Sequence, residues 1–135
     1  MKYSQTTVEV INYIASKFGA EPEFLWTRSP NNAAFRHRGN KKWFAALLMD
    51  TPGKTLGLPE IERVDILDLK CDTRMIGSLI DGRRYLPGYH MNKEHWITLL
   101  LDGSIPLHEV FALIDMSYEL TDKGKKPQVK SAADR

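Results

Sequence analysis

Residues 33–49, AAFRHRGNKKWFAALLM, carry two β-strand patterns on either side of a tight-turn signal. In residues 33–38 the side chains alternate between two faces, which places Arg36 and Arg38 on the same face of a strand. Residues 42–49 are mostly apolar on both faces, as in a strand at the centre of a sheet. The Gly-Asn-Lys between the two patterns favours a tight turn. We therefore predict an antiparallel hairpin with a basic tip.

The other elements follow from hydrophobic periodicity and from capping residues. Apolar side chains at helical spacing predict three helices, with Thr6 and Glu9 as a capping box for the first and Asp72 as the N-cap of the second. Residues 83–95 are predicted to form a loop. The predicted helices cover residues 7–18, 73–80 and 106–120, and the predicted strands cover residues 23–27, 33–38, 42–49, 63–71 and 96–101.

The order of these elements, α-β-β-β-β-α-β-α, predicts the fold class. Turn signals between successive strands favour an antiparallel sheet, and helices at both ends of the order can cover one of its faces. We therefore predict a two-layer α+β domain, with a mainly antiparallel sheet covered on one face by helices. This single domain is predicted to span residues 1–121. Residues 122–135 are rich in basic and small residues and lack apolar periodicity, so they are predicted to be a disordered tail.

Composition and cysteine content favour a cytoplasmic protein. Of the 135 residues, 42% are hydrophobic and 27% are charged, which are ordinary values for a globular chain. No stretch has the roughly 20 apolar residues of a membrane span, and the first ten residues lack the apolar run of a signal peptide. The single cysteine, Cys71, cannot form an intrachain disulfide and fits a reducing compartment. No pattern sets the oligomeric state, and a monomer is favoured.

Metal binding and catalysis find little support in the residue spacing. His90 and His95 are five positions apart, whereas the zincin motif needs two histidines four apart on one helix face. Cys71 at a strand end is typical of a buried apolar residue rather than of a nucleophile. Asp65 and Asp68 are three apart on a strand, so they are predicted to point to opposite faces and not to act as a carboxylate pair. We therefore predict no enzyme activity, no metal and no cofactor.

Basic residues concentrate in two segments that could contact nucleic acid. Residues 24–49 contain five basic residues and no acidic residue. Basic side chains neutralise phosphates, aromatic rings stack on bases, and Asn can read a base edge. The alternative is that these side chains are merely solvated, with Trp43 and Trp96 as core anchors at strand starts. The predicted DNA contacts are Arg36, Arg38, Lys41 and Lys42 on the hairpin, and Arg83, Arg84, Tyr89, His90, Asn92 and Lys93 in the later loop.

Four stretches of the chain resemble the YjbR/MmcQ family of small bacterial proteins. The ten residues PGYHMNKEHW at 87–96 resemble the family signature, and FRHRGNKKWFAAL at 35–47 resembles its central hairpin. LKCD at 69–72 and LDGSIPLHEVFALIDMSYELT at 101–121 fit the segments around its last two helices. The resemblance runs in order over residues 6–121. The stretch WTRSPNNAA at 26–34 and the basic tail depart from it, so no residue role carries over there.

The resemblance implies a two-layer α+β fold similar to CyaY-like and secretion-chaperone-like domains. It also implies DNA binding through a double-wing arrangement of two projecting β elements, with residues 36–42 as one wing and residues 83–95 as an adjacent contact surface. Two alternatives stay open. A protein-binding adaptor would use an apolar patch on the sheet, and a small-molecule or enzymatic pocket would be built around residues 88–96.

Overall fold

The computed structural model of the chain describes residues 4–122. Of the predicted tail at 122–135, only Asp122 is among them, and the rest lies outside the described residues. The helices are α1 (Gln5–Phe18), α2 (Thr73–Leu79) and α3 (Leu107–Thr121), and the strands are β1 (Ala33–Arg36), β2 (Trp43–Pro52), β3 (Arg63–Lys70), β4 (Tyr85–Pro87) and β5 (Trp96–Leu100), with a 3-10 turn at Gly53–Leu56.

The five strands form one antiparallel sheet in the order β1-β2-β3-β5-β4. Helix α3 packs on β2 and β3, and α1 packs on α3. Apolar side chains of the three helices form one core with those of the sheet, which include Phe44, Leu67 and Ile97. The helices therefore cover one face of the sheet, and the predicted two-layer α+β fold is confirmed.

Two details of the predicted element order are wrong. Residues 23–27 form no strand, because the chain makes a single bridge between Glu23 and Ala34 and then turns, leaving Phe24 and Leu25 exposed. The missing strand is β4, inside the predicted loop. Periodicity does not reveal it because it has only three residues, and it ends at a proline, a residue that strands tolerate at a sheet edge.

Helix α1 begins earlier than the predicted capping box. Its N-cap is Ser4, whose Oγ accepts a hydrogen bond from the Thr7 backbone N–H at 3.1 Å. Thr7 is buried and donates its hydroxyl to Asp65 Oδ2 of β3 at 2.6 Å. This contact fixes the first turn of the helix to the sheet. It joins residues far apart in the chain, so the local sequence around Thr6 and Glu9 could not predict it. The predicted N-cap of α2, Asp72, is confirmed by its bond from the Arg74 N–H at 2.9 Å.

Within residues 4–122 no α-helix covers the second face of the sheet, which has its own row of side chains. Strand registers align one residue from each strand across this face: Ala34, Ala46, Asp68, Thr98 and Leu86. On the β5 side of this face a small second core, with Ile66 and Leu100 in the sheet, packs under residues 56–61. Over Ala34 and Ala46 this face carries only small side chains, and a pocket lies over the β2 part of it.

Candidate functional site

A pocket of about 500 Å³ lies on the open part of the second sheet face. This volume is within the usual range for small-molecule sites, about 300–1,000 Å³. Strands β2 and β3 form its floor, the loop after β4 forms one wall, and the segment before β1 forms the opposite wall. The lining residues are Trp26, Ser29, Asn32, Trp43, Ala46, Leu48, Met49, Asp50, Thr51, Pro52, Asp68, Tyr89, His90 and Met91.

The floor of the pocket contains a buried carboxyl group, that of Asp68. The residue has no solvent-exposed surface, and its Oδ1 accepts the Thr98 hydroxyl hydrogen at 2.5 Å. Thr98 Oγ1 in turn accepts the Tyr89 backbone N–H at 2.8 Å, so its hydroxyl hydrogen is directed at Asp68. Asp68 Oδ2 has no hydrogen-bond partner among residues 4–122. Of the two carboxyl oxygens, one is therefore fixed by the sheet and the other is unsatisfied.

The environment of Asp68 changes its ionisation. Burial raises the pKa of its carboxyl to about 7, although the Thr98 hydrogen bond and the charge of Lys93 each lower it. Near neutral pH both the protonated and the ionised form of this carboxyl are therefore accessible. A buried carboxyl with an unsatisfied oxygen and a pKa near neutrality is typical of functional sites more than of structural ones.

Aromatic rings make up much of the two walls. The rings of Trp26 and Trp43 lie 5.5 Å apart, centre to centre, with an interplanar angle of 83°. On the other side the rings of Tyr89 and His90 stack at 4.0 Å with an angle of 20°. Trp43 is half-buried and lines the pocket, so its role is not only that of the predicted core anchor.

Local backbone geometry holds the loop wall in place. Gly88 lies against Trp96, and a Cβ at this position would be 2.8 Å from the Trp96 Cβ. The Trp96 N–H donates to the Asn92 carbonyl at 3.0 Å, and Lys93 Nζ donates to the Gly88 carbonyl at 3.1 Å. His90 follows with a φ of 63°, a left-handed conformation that is uncommon for a residue other than glycine. Of the predicted contact residues in this loop, Tyr89 and His90 therefore face the pocket, while Asn92 and Lys93 stabilise the loop.

The basic hairpin tip lies at the β1 edge of the sheet. Arg36 pairs with Glu23 at 3.1 Å, so part of its charge is neutralised. The other three predicted contact residues here, Arg38, Lys41 and Lys42, are exposed. Three of the four basic side chains are thus available to an anionic partner.

Arg83 and Arg84 lie at the opposite edge of the sheet. They precede β4, and their backbone N–H groups both donate to Asp81 Oδ1 at 2.9 Å. Since β1 and β4 are the two edge strands of five, the two basic groups are separated by four strand spacings, about 19 Å. The structure therefore does not bring them together into the adjacent surfaces that the resemblance implies.

Neither histidine of the signature has metal-ligand geometry around it. His95 Nδ1 lies 3.1 Å from the Thr73 hydroxyl, while His90 stacks on Tyr89. Within residues 4–122 no three His, Cys, Asp or Glu side chains come together as potential metal ligands. No helix in this part of the chain is long and apolar enough to cross a membrane.

Comparison with known families identifies the chain. The YjbR family model matches residues 15–120, which is most of the sequence. The chain belongs to the YjbR family. The uncharacterised protein YyaQ of Bacillus subtilis is 40% identical to it over 116 residues, which are 86% of this chain and 98% of YyaQ. The uncharacterised protein YjbR of Escherichia coli is 48% identical over 33 residues, 24% of this chain and 28% of that protein.

Two solved structures are similar to this YjbR-family chain. The crystal structure of a Pseudomonas syringae protein has a TM-score of 0.81 at 40% identity, covering 88% of this chain and 99% of that one. A Deinococcus radiodurans protein has a TM-score of 0.67 and covers 90% of this chain and 83% of its own, but at 24% identity it supports the fold alone. The family predicted from the four sequence stretches is confirmed.

Most of the pocket residues outside the loop at 88–96 were not predicted as site residues, among them Trp26, Asp50 and Asp68. A signal for Asp68 is present, because it lies among Ile66, Leu67 and Leu69 in the apolar middle of β3, and an acidic residue is rarely buried there without a partner. As predicted, Asp65 and Asp68 point to opposite faces, but only the register of the sheet shows that Asp68 meets a pocket. Trp26 lies in residues 23–27, which the sequence wrongly predicts to be a strand, and nothing in that pattern indicates a pocket.

Proposed function

We propose that this YjbR-family protein binds a small organic ligand in the pocket on the second sheet face. The observation that carries the proposal is the buried Asp68 carboxyl, whose Oδ2 is unsatisfied in the floor of an aromatic-walled pocket. This corresponds to the alternative of a pocket around residues 88–96. The match to the family signature supports it as well, since Tyr89, His90 and Met91 of that stretch line the pocket.

The physical reason lies in the cost of an unsatisfied buried oxygen. A buried polar atom without a partner destabilises the fold by about 1–3 kcal/mol, and such atoms are rare in folded proteins. A ligand group that hydrogen-bonds to Asp68 Oδ2 removes this cost, so the fold itself favours binding. The flanking rings add apolar and stacking contacts without the ordering cost of long flexible side chains.

A thermal-shift screen of a fragment library tests the proposal. Bound ligands stabilise the folded state, so at least one compound is expected to raise the Tm of the wild-type chain. Trp26→Ala removes one wall and should abolish the shift, whereas Phe24→Ala, an exposed aromatic in the same segment that does not line the pocket, should keep it. Shifts that survive Trp26→Ala, or no shift with any compound, would refute the proposal.

DNA binding through the hairpin tip is the second candidate, and one observation favours it. The end of α3 packs against the hairpin, since Asn40 Nδ2 donates to the Thr121 carbonyl at 3.0 Å. The segment that continues from this point, residues 123–135, contains five basic residues and one acidic residue. Arg38, Lys41 and Lys42 therefore lie at the same end of the molecule as Thr121, which precedes the basic residues of 123–135 in the sequence. Phosphate contacts by these cations would position the domain on DNA, in keeping with the double-wing resemblance.

A DNA titration by fluorescence anisotropy at several salt concentrations tests the second candidate. Lys41→Ala with Lys42→Ala should weaken binding and flatten the slope of log K against log salt by about one unit per lost contact. Arg83→Ala with Arg84→Ala removes the same charge at the opposite edge. If the hairpin tip binds DNA, the Arg83/Arg84 control keeps the wild-type slope. An equal loss of affinity in the two double variants would contradict a DNA site at the hairpin tip.

The remaining expectations are part of the proposal. We propose a cytoplasmic protein without catalytic activity, metal or cofactor, and a monomer. A location in a reducing compartment is supported by the single buried cysteine, Cys71. The protein-partner alternative is supported by the exposure of Phe24 and Leu25, at 50% and 43%, beside the pocket residue Trp26.

A further inference from the structure

The ionisable groups that line the pocket are acidic, apart from one histidine and one tyrosine. Asp68 lies in the floor and Asp50 at the rim, where its side chain is 67% exposed. The remaining ionisable lining groups are His90 and Tyr89. Of the residues that the structure describes, no lysine or arginine lines the pocket. The lining thus contains two carboxyl groups, one buried in the floor and one exposed at the rim, and no permanent cation among the described residues.

The basic groups near the pocket do not line it and have partners of their own. Arg63 lies 3.8 Å from the Asp50 carboxylate, and Lys93 donates to the Gly88 carbonyl at 3.1 Å. Lys70 extends over the Trp96 ring at 6.0 Å. The Lys93 charge still reaches Asp68 and lowers its pKa, and Arg63 partly neutralises Asp50, but neither cation lines the pocket.

The aromatic walls suit a positively charged ligand group. The rings of Trp26 and Trp43 meet at 83°, so their planes form a corner that a cation can approach from two sides. The faces of tryptophan and tyrosine rings attract cations through their quadrupoles, and tryptophan does so most strongly. Aromatic faces beside a carboxylate are the combination that binds organic ammonium and amidinium groups.

We infer that the ligand of this pocket is a small organic cation, a protonated amine or amidinium attached to an aromatic group. Its nitrogen donates a hydrogen bond to Asp68 Oδ2 and its planar part lies between the tryptophan corner and the Tyr89 ring. The inference rests on the proposed ligand-binding function and deepens it by naming the ligand class. Since Asp68 is fully covered in this conformation, the ligand nitrogen reaches Oδ2 only after a neighbouring side chain moves aside.

Two matched pairs of probes test the ligand class, benzamidine against benzamide and phenylguanidine against phenylurea. The members of each pair have nearly the same shape, and only the first carries a positive charge. Titration calorimetry is expected to give at least tenfold tighter binding for the charged member of each pair. Asp68→Asn should remove that preference, whereas Asp50→Asn, which changes the same group at the exposed rim, should reduce it by less than threefold.

The pH dependence supplies an independent readout. The other ionisable groups that line the pocket are Asp50, Tyr89 and His90, and the Lys93 charge also acts on Asp68. Benzamidine stays charged between pH 6 and pH 8, so its affinity should rise with pH as Asp68 ionises. The rise should persist in His90→Asn, which keeps a residue tolerant of positive φ, and should disappear in Asp68→Asn.

Each outcome decides between the inference and the proposed function. Equal binding of charged and neutral members would overturn the organic-cation inference and leave ligand binding standing. Absence of binding by all four probes at millimolar concentration would also overturn the inference. The proposed ligand-binding function has its own test. It fails if the thermal-shift screen finds no compound that raises the Tm of wild type but not that of Trp26→Ala. Circular dichroism of each variant establishes that it is folded before these results are compared.

Discussion

Asp68 is the residue that most distinguishes this chain from a purely structural α+β domain. Burial raises the pKa of its carboxyl to about 7. When the chain folds at neutral pH, this carboxyl must therefore either take up a proton or remain as a buried charge. Because its folded pKa is above its unfolded value, the group is protonated without cost below about pH 4. It then lowers stability progressively as pH rises towards 7.

The first prediction at this scale concerns Asp68→Asn. The amide cannot ionise, so it removes a penalty that grows between pH 4 and pH 7. The free energy of unfolding of the variant minus that of wild type should be about 2–3 kcal/mol larger at pH 8 than at pH 5. Urea unfolding at both pH values measures this difference, with the exposed acid variant Glu60→Gln as control. A stability difference that does not change with pH would contradict the argument.

The second prediction concerns Gly88, where the loop wall of the pocket approaches β5. A methyl group here would lie 2.8 Å from the Trp96 Cβ and 2.9 Å from its carbonyl oxygen, neither of which can move freely. Gly88→Ala should therefore destabilise the fold by about 1–3 kcal/mol, as overpacking usually does.

The control for this change is Gly77→Ala in α2, where the added methyl group meets no atom within 4 Å. It should be neutral or stabilising by up to about 1 kcal/mol, because alanine favours the helix. Chemical denaturation compares the two variants, and equal effects would show that the Gly88 contact is unimportant.

At the scale of elements, the start of α1 depends on the sheet. Ser4 caps the helix, and Thr7 in its first turn reaches Asp65 in β3. Asp65 Oδ1 also accepts the Asp50 N–H at 2.9 Å, at the point where β2 departs from regular pairing with β3. One carboxylate therefore connects the first helix to the irregular end of β2, which forms the rim of the pocket.

The prediction at this scale separates the observed cap from the one that sequence pattern suggested. Ser4→Ala removes the hydroxyl that accepts the Thr7 N–H and should cost about 1 kcal/mol. Thr6→Ala, at the position of the predicted capping box, should change stability by less than about 0.5 kcal/mol. Thermal unfolding measures the stability of both variants. A larger loss of stability in Thr6→Ala than in Ser4→Ala would show that Thr6 is the N-cap.

At the scale of the whole molecule, the two candidate sites occupy different regions. The pocket lies on the second sheet face over β2 and β3, whereas the exposed cations Arg38, Lys41 and Lys42 lie at the hairpin tip beside the end of α3. The two functions therefore do not depend on the same side chains.

This separation predicts independent effects of substitution. Lys41→Ala with Lys42→Ala should leave the thermal shift caused by a pocket ligand unchanged. Trp26→Ala should remove that shift while it leaves the salt dependence of DNA binding as in wild type, because the lost group carries no charge. Loss of both properties in either variant would mean that the regions are coupled and that one shared surface is used.

The sequence by itself determined the class of the domain, most of its helices and strands, and the family. These depend on short-range signals: apolar periodicity, turn residues and the ten-residue signature. It also established that Asp65 and Asp68 face opposite ways, because alternation along a strand is local. Strand β4 could not be predicted from the sequence, because three residues are too few to show a periodic pattern.

Only the tertiary structure decided which side chains meet. Strand register placed Asp68 beside Thr98 and beneath Tyr89, and the path of residues 26–32 brought Trp26 against Trp43. The order of strands placed Arg36 and Arg84 at opposite edges of the sheet. Register and strand order are set by packing between segments far apart in the chain, and single-sequence patterns within 20 residues contain no information about them.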